Sequence, residues 1–362
     1  MTIPVTKTIL PPMGEYFRYL EGIWQTGQLT NNGPLCLDLA GRLKSYLNLP
    51  HLELVGNGTL ALQIAIKVLG LKGEIITTLY SYVATTNAIL WEGCEPVFVD
   101  IEPQSFCINP DLIEAAITDK TSAILATHVY GYPCDMVRIQ AIADRYGIKV
   151  IYDAAHAFGI KLNGCSLLEH GDCSTLSFHA TKLFHTAEGG AVVCRDAEMA
   201  YKVFLMTKFG HIGEEAYLDI GINAKMSELH AAMGLCVLPM VGDTIASRKE
   251  CSGWYDKQLE GRSLQRPVLP VGLEYNYAYY PVLFSSHDIM MRARQALVGN
   301  GIVPRRYFHP SLNTLPFLKP ELKRTCAVSE DISSRVLCLP LFMGLQKEEV
   351  EVICTIIQQS TY

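Results

Sequence analysis

The sequence has no excess of positive charge, because its 30 lysines and arginines are outnumbered by 36 aspartates and glutamates. The formal net charge of −6 at pH 7 gives no global basic field that would attract nucleic acid or an anionic membrane. We therefore expect neither nucleic acid nor a membrane as a partner. A local basic pocket is still compatible with this charge, and such a pocket would be enough to bind a phosphorylated small molecule.

The sequence also lacks the long apolar runs of exported and membrane proteins. No stretch approaches the length that a membrane-spanning helix requires. The opening segment MTIPVTKTILPPMGEY holds no continuous apolar run between a basic flank and a cleavage site, so we predict no signal peptide. Both absences favour a cytoplasmic protein.

The twelve cysteines include no CxxC pair. Most lie inside apolar segments such as LCVLPMV, which predicts buried free thiols in a reducing cytoplasm. A metal-binding or regulatory protein that uses His170, Cys173, His179 and His185 is an alternative, but their spacing departs from common zinc patterns. We predict no metal site.

The chain does have the apolar content of a large folded core. Hydrophobic residues make up 49% and charged residues 18% of its 362 residues, which is typical of a compact globular protein. This length suits one large domain and one smaller domain. We predict a large domain at residues 1–245 and a small C-terminal domain at residues 246–362.

The first two thirds of the chain alternate β-rich runs with helical patterns. The candidate strands are Glu74–Thr78, Pro96–Val99, Ala123–His128, Lys149–Asp153, Ser174–Phe178 and Ala191–Cys194. The candidate helices between them are Thr59–Leu69, Val83–Trp91, Pro110–Ile117 and Cys134–Tyr146. Several of the strands are continuously apolar, as expected when both faces are covered. The alternation predicts an α/β fold with a mostly parallel central sheet.

The pattern changes after about Val241. A long helical stretch through SRKECSGWYDKQLEG is followed by the strand candidate YAYYPVLF and by helices near Asp288–Gly299 and Lys347–Gln358. This order of elements predicts a smaller α+β domain.

A possible phosphate site precedes the first apolar helix, where the sequence reads VGNGTLALQIAIKVLG. Gly58 allows close backbone approach, and the helix N-terminus offers free N–H groups beside the Thr59 hydroxyl. The alternative is a plain turn in which Thr59 caps the helix. The segment matches neither the P-loop nor the dinucleotide-binding fingerprint.

Three further segments carry groups that could share this site. Asp153 ends a buried strand, where open α/β sheets bind ligands, and it could pair with a protonated pyridine nitrogen or cap the next helix. Tyr82 could lie against a flat cofactor or belong to the core. Lys182 follows the strand that ends near Ser177. A phosphate site, a buried acid, a flat aromatic ring and a lysine together meet the needs of pyridoxal 5′-phosphate.

The sequence resembles the DegT/DnrJ/EryC1/StrS sugar aminotransferases, which have the aspartate-aminotransferase (type I) fold. The segments that carry the resemblance follow in order, namely NGTLALQIAI, SYVATTNAILWEGCEPVFVDIEP, HVYGYPCDM, VIYDAAHAFG, SFHATKLFHTAEGGAV and GINAKMSELHAA. The resemblance implies a transaminase that uses pyridoxal 5′-phosphate, with Lys182 as the Schiff-base lysine and Asp153 as the partner of the pyridinium nitrogen.

Other site residues follow from the same resemblance. His156 stands near the phenolic oxygen of the cofactor, and Tyr82 stacks on its ring. The implied phosphate ligands are Gly58, Thr59 and Ser177, together with Asn223, which reaches the cofactor of the neighbouring subunit. The resemblance thus implies a homodimer with shared active sites.

Some segments depart from the family pattern. Lys225 stands where many members have arginine, and LFHTA replaces a glycine-containing run after Lys182. Members that dehydrate at C3 have histidine in place of the lysine, so the lysine here favours transamination.

Within the family, GQLTNNGPL, SFHATKLF and RRYFHPSLN look most like enzymes that use L-glutamate to aminate C4 of dTDP-4-keto-6-deoxyglucose. Their product, dTDP-4-amino-4,6-dideoxyglucose (dTDP-viosamine), serves O-antigen biosynthesis. Amination of C3 on a 3-keto nucleotide sugar is the alternative. Arg305, Tyr307 and His309 are candidates for binding the nucleotide sugar, although arginines here could equally be surface residues.

Overall fold

The computed structural model describes residues 2–360, which form eleven α-helices and fourteen β-strands. The strands are β1 (Ile3–Pro4), β2 (Leu52–Val55), β3 (Glu74–Thr78), β4 (Glu95–Val99), β5 (Thr121–Thr127), β6 (Lys149–Asp153), β7 (Lys161–Leu162), β8 (Cys165–Ser166), β9 (Cys173–Ser177), β10 (Gly190–Cys194), β11 (Leu273–Glu274), β12 (Tyr280–Leu283), β13 (Ile302–Val303) and β14 (Val336–Leu339). The helices are α1 (Met13–Thr26), α2 (Pro34–Leu47), α3 (Gly58–Val68), α4 (Val83–Trp91), α5 (Met136–Tyr146), α6 (Ala197–Met206), α7 (Glu228–Val237), α8 (Val241–Leu259), α9 (His287–Gly299), α10 (Ala327–Arg335) and α11 (Lys347–Ser360).

The central sheet has seven strands in the order β2-β10-β9-β6-β5-β3-β4. Four neighbouring pairs, from β9 across to β4, are parallel, whereas β10 runs antiparallel to both β2 and β9. The predicted α/β fold with a mostly parallel sheet is confirmed. All six candidate strands are present, to within two residues at each end. The short edge strand β2 was not predicted.

Side chains alternate between two cores, one on each face of this sheet. Ile76 and Ile124 pack in one core, while their neighbours Ile75 and Leu125 pack in the other. Because both faces of the parallel strands are buried, the strands have continuous apolar sequences and not alternating ones. The parallel strands β5, β6 and β9 end at the same edge of the sheet. At this edge Asp153 is paired with Thr127 on one side and with Thr175 on the other.

The predicted helix at Pro110–Ile117 is wrong. The segment forms two separate 3₁₀ turns, Pro110–Leu112 and Glu114–Ala116, whose hydrogen bonds join residues three apart. Such turns are frequent as short connectors between longer elements. The chain instead turns twice before it enters β5.

The C-terminal part builds on the antiparallel pair β12 and β14, against which α8, α9 and α11 pack around a core of their own. Helix α10 and strand β14 were not predicted from the sequence. The predicted domain boundary at residues 245–246 falls inside α8, which connects the two parts, and the division itself stays a prediction.

Residues 228–259 form one helical run that is long enough and apolar enough to cross a membrane, a feature that was not expected from the sequence. Half of its most apolar window is buried inside the protein. The cysteines agree with prediction, since all twelve are free thiols and eleven are buried, with Cys165 exposed.

Candidate active site

A cavity opens where β5, β6 and β9 end and where α3 and α4 begin. It holds about 1040 Å³ of empty space, part of it open to solvent, which is enough for a small-molecule site. Nine of the site residues predicted from the sequence line this cavity: Gly58, Thr59, Tyr82, Asp153, His156, Ser177, Lys182, Arg305 and Tyr307. Among the described residues, 2–360, the cavity lining does not include the other two, Asn223 and His309.

The N-terminus of α3 forms one end of the cavity. Asn57 caps this helix, since its Oδ1 accepts the N–H of Leu60 at 2.9 Å. The alternative in which Thr59 is the cap is therefore wrong, and Thr59 is an exposed residue that lines the cavity. A Cβ at Gly58 would lie 2.8 Å from Cβ of Ser177, so only glycine lets the helix end approach β9 this closely.

Asp153 is 6% exposed at the end of β6. Its Oδ2 accepts the Thr85 hydroxyl at 2.7 Å, and its Oδ1 accepts the N–H of Ala155 at 3.2 Å. Residues 154–160 form turns, so the alternative role as a helix cap is wrong. Burial raises the pKa of the carboxyl group, while both hydrogen bonds and the positive charge of Lys182 act to lower this pKa.

Lys182 lies in the loop between β9 and β10. Its Nζ lies 3.4 Å from the Tyr279 hydroxyl. Burial lowers the pKa of the amine to about 8, and the nearby Asp153 carboxylate opposes this shift. A larger fraction of the amine is therefore neutral near pH 7 than for an exposed lysine, as a nucleophile or proton carrier requires.

The segment LFHTA, which directly follows Lys182, is held in place by contacts of its side chains. Phe184 is buried and packs against Phe158 and Phe178, with ring centroids 4.8 and 4.9 Å apart. His185 donates from Nε2 to the carbonyl of Ile9 at 2.6 Å and accepts an N–H at Nδ1. These contacts anchor the loop on both sides without glycine and hold Lys182 at the cavity.

His156 is buried beside Lys182 and lies parallel to the Phe308 ring. Its Nδ1 accepts the N–H of Tyr130 at 3.2 Å, so Nε2 carries the proton of the neutral ring. Burial and the charge of Lys182 hold the pKa of His156 well below its usual value. Tyr82, which is 55% exposed, stands at the mouth of the cavity.

The C-terminal part adds one basic residue to the cavity. The Arg305 guanidinium lies 4.9 Å from the centre of the Tyr307 ring, and both residues face the cavity. His309 is elsewhere, because its Nδ1 contacts Arg306 and that guanidinium donates to the carbonyl of Ser334. The geometry therefore brings Arg305 and Tyr307, but not His309, to the predicted site.

Asn223 lies on an exposed segment between α6 and α7. Its Oδ1 accepts Lys225 Nζ at 2.7 Å, and this amine lies 5.4 Å from the centre of the Phe209 ring. The same segment exposes further apolar side chains, Ile212, Tyr217, Leu218, Ile220 and Ile222. Within one chain, Asn223 does not reach the cavity that holds Lys182.

Several residues of the site were missed by the sequence analysis. Thr85 binds Asp153 directly, and Tyr279 contacts Lys182 from 97 residues away. Nothing in YNYAYY distinguishes Tyr279 from its tyrosine neighbours, because all of them occupy one apolar segment. For Thr85, the only signal was a hydroxyl in the helix that follows a strand end.

The alternative of a metal-binding protein finds no support in the geometry. Among residues 2–360, no three histidine, cysteine, aspartate or glutamate side chains are grouped to hold a metal ion. His179 bonds instead to Thr181, and His185 is a buried packing residue.

Comparison with known proteins assigns the chain to a family. Residues 13–358 match the model of the DegT/DnrJ/EryC1/StrS aminotransferase family. The chain is 42% identical to a dTDP-4-amino-4,6-dideoxy-D-glucose transaminase of Shigella dysenteriae, with 98% of both chains covered. It is 40% identical to an Escherichia coli protein of the same name, with 96% of both covered.

Solved structures give the same assignment. The fold matches that of DesI, solved in the presence of its TDP-sugar product, with a TM-score of 0.94 and 28% identity, covering 99% of this chain and 93% of the other. Because family, relatives and fold agree over nearly the whole length, this chain belongs to the DegT/DnrJ/EryC1/StrS aminotransferase family.

Proposed function

We propose that this protein uses pyridoxal 5′-phosphate to move the amino group of L-glutamate to C4 of dTDP-4-keto-6-deoxy-D-glucose. The products would be dTDP-4-amino-4,6-dideoxy-D-glucose and 2-oxoglutarate. The observation that carries the proposal is that Lys182, Asp153 and the N-terminus of α3 face one cavity. The names of the two relatives at 40% and 42% identity support the choice of sugar.

The residues of the cavity fit this cofactor. Gly58 leaves the end of α3 open beside Ser177, and a helix N-terminus with hydroxyls beside it suits a phosphate group. Asp153 is a buried carboxylate that would gain a counter-charge from a protonated pyridine nitrogen. Lys182 lines the same cavity and has an amine that is easily deprotonated.

When bound, pyridoxal phosphate would supply an aldehyde for covalent linkage to amines and a ring that withdraws electrons from the carbon losing its proton. The residues of the chain would transfer the protons and orient the cofactor. Lys182 would take a proton at Nζ and return it, acting as base and then as acid in each half-reaction. Asp153 would hold the ring nitrogen, and His156 would direct Nε2–H into the cavity.

The sugar nucleotide would bind on the C-terminal side of the cavity. Arg305 is the basic residue that this part presents there, and its charge suits a pyrophosphate. Tyr307 and Tyr82 offer aromatic faces and hydroxyls for a sugar or base. His309 would contribute only indirectly, through its contact with Arg306.

A homodimer with shared active sites would explain the exposed segment that carries Asn223. Exposed apolar side chains such as Tyr217 and Ile220 are more stable when covered, and a second copy would cover them. In that arrangement Asn223, held by Lys225, would reach the cofactor phosphate of the neighbouring subunit. We further propose that the enzyme is cytoplasmic and supplies viosamine for O-antigen assembly, without nucleic acid or membrane partners.

The test is product analysis with purified protein. Incubation with pyridoxal phosphate, L-glutamate and dTDP-4-keto-6-deoxyglucose should give a product with nitrogen on C4, identified by mass spectrometry and NMR. A parallel reaction with a 3-keto-6-deoxy nucleotide sugar should give no product. Amination of the 3-keto sugar alone would reject the C4 assignment but keep the transaminase. The absence of any glutamate-dependent change in the visible absorbance of the cofactor would reject both.

A further inference from the structure

Three buried hydroxyl groups form a chain of hydrogen bonds that ends on Asp153. Thr127 Oγ1 lies 3.0 Å from Ser81 Oγ, which lies 2.8 Å from Thr85 Oγ1. Thr85 Oγ1 lies 2.7 Å from Asp153 Oδ2. Each of the three hydroxyl residues is only 1% exposed. They come from three places, the end of β5, the loop after β3 and the first turn of α4.

An ionised Asp153 would fix the direction of every proton in this chain. A carboxylate only accepts hydrogen bonds, so Thr85 must donate its single hydroxyl proton to Oδ2. Thr85 Oγ1 can then only accept, which requires Ser81 to donate to it. Ser81 in turn accepts from Thr127. All three protons point toward the carboxylate, and successive hydrogen bonds of this kind strengthen one another.

The second oxygen of the carboxylate is held by a different element. Oδ1 accepts the N–H of Ala155, which lies in the turn after β6. With one oxygen bound from α4 and the other from this turn, the carboxylate cannot rotate freely. Burial by itself favours the neutral acid, and a neutral acid would not stabilise a protonated pyridine nitrogen. The hydrogen bonds to the two oxygens oppose that effect.

We propose that Thr85, Ser81 and Thr127 are positioning residues that keep Asp153 ionised and oriented toward the ring nitrogen of the cofactor. This inference rests on the proposed function, since the ring nitrogen belongs to pyridoxal phosphate. The three residues act through Asp153, and Thr85 contributes most because it alone touches the carboxylate.

The test compares two ligands that differ only at the ring nitrogen. The dissociation constants of pyridoxal phosphate and of its 1-deaza analogue, which has carbon in place of that nitrogen, are measured by absorbance titration. Thr85→Val should weaken the binding of pyridoxal phosphate about tenfold, the size expected for a hydrogen bond to a charged group. Binding of the analogue should change less than about twofold, since it makes no use of the charge on Asp153.

Thr86→Val is the matched control. Thr86 is the next residue of α4, and within residues 2–360 its buried hydroxyl has no hydrogen-bond partner. This variant should leave both dissociation constants unchanged. Ser81→Ala and Thr127→Val should give smaller effects than Thr85→Val, again confined to pyridoxal phosphate.

Equal weakening of both ligands by Thr85→Val would overturn the inference, because it would indicate a packing role. Unchanged binding of both would overturn it as well. Wild-type protein that fails to bind pyridoxal phosphate would instead overturn the proposed function.

A second measurement needs no ligand. In Asp153→Asn, the amide Nδ2 can donate a hydrogen bond to the Thr85 hydroxyl. Thr85 then donates to Ser81, and Ser81 donates to Thr127. The direction of the chain is reversed, and every hydroxyl still takes part in a hydrogen bond. Asp153→Asn should therefore melt no lower than the wild type, while adding Thr85→Val to it should lower the melting temperature. A large drop for Asp153→Asn alone would show that the hydroxyl chain cannot reverse, and no further drop on adding Thr85→Val would show that Thr85 does not bond to this position.

Discussion

The Tyr279 hydroxyl lies 3.4 Å from the amine of Lys182, although the two residues are 97 positions apart. Tyr279 precedes β12 in the C-terminal part, whereas Lys182 belongs to the loop after β9 of the central sheet. The Tyr279 ring also lies edge-on to His156, with centroids 4.8 Å apart. The position of the lysine therefore depends on how the C-terminal part packs against the sheet.

Tyr279→Phe removes this contact and keeps the ring. We expect the rate of transamination to fall about fivefold, because one hydrogen bond contributes about 1 kcal/mol. Steady-state kinetics measure the change. Tyr280→Phe is the matched control, since that hydroxyl bonds Asp256 outside the cavity and its loss should leave the rate unchanged. Equal effects in both variants would argue against a specific role for Tyr279.

Lys182→Ala removes the amine that we assign to proton transfer. Turnover should fall below detection, while pyridoxal phosphate should still bind without a covalent link, through Asp153 and the end of α3. Reduction with borohydride followed by mass spectrometry should add the mass of the cofactor to the wild type but not to the variant. Substantial transamination by Lys182→Ala would be incompatible with the assignment.

The pKa of Lys182, about 8, predicts how its reactivity depends on pH. Only the neutral amine reacts, so the rate at which an acylating reagent modifies Lys182 in the cofactor-free protein should rise with pH and level off above about 8. A free peptide lysine, with a pKa near 10.4, should still be rising there. Mass spectrometry of the Lys182 peptide gives both rates. A midpoint as high as that of the free peptide would contradict the effect of burial.

Gly58→Ala places a methyl group 2.8 Å from Cβ of Ser177 at the proposed phosphate site. Relief of this overpacking requires Ser177 or the end of α3 to move from its place at the phosphate site, so the affinity for pyridoxal phosphate should fall about tenfold. Pyridoxal, which lacks the phosphate, should lose much less. Gly253→Ala in α8 adds a methyl group in open space and serves as the control. An equal loss of affinity for both ligands would show that the phosphate group does not bind at the N-terminus of α3.

Shared active sites predict complementation between two defective variants. Lys182→Ala and Asn223→Ala should each have little activity as pure homodimers. After subunit exchange, half of the dimers pair one variant with the other, and each has one intact site of two. Activity should thus recover to about a quarter of the wild-type value. No recovery, despite exchange demonstrated by mass spectrometry, would mean that no active site combines Lys182 of one subunit with Asn223 of its partner.

The sequence alone identified six of the seven strands of the central sheet and nine of the residues that line the cavity. Buried parallel strands have continuous apolar sequences that can be recognised without a structure. Ligands bind at the carboxyl ends of such strands. That reasoning led directly to Asp153, Lys182 and the start of α3. The secondary structure of short segments with mixed patterns was harder to predict, as the two 3₁₀ turns at residues 110–116 and the strand β14 show.

The tertiary structure was needed for every contact between distant segments. Thr85 and Asp153 are 68 residues apart, and Lys182 and Tyr279 are 97 apart, so no local pattern links either pair. A hydroxyl or a tyrosine has the same local sequence signature whether it packs in a core or bonds to a reactive group. Arg305 and His309 illustrate the same limit, since four positions separate a residue in the cavity from one outside it. Side-chain direction is set by packing between elements, which the linear sequence does not record.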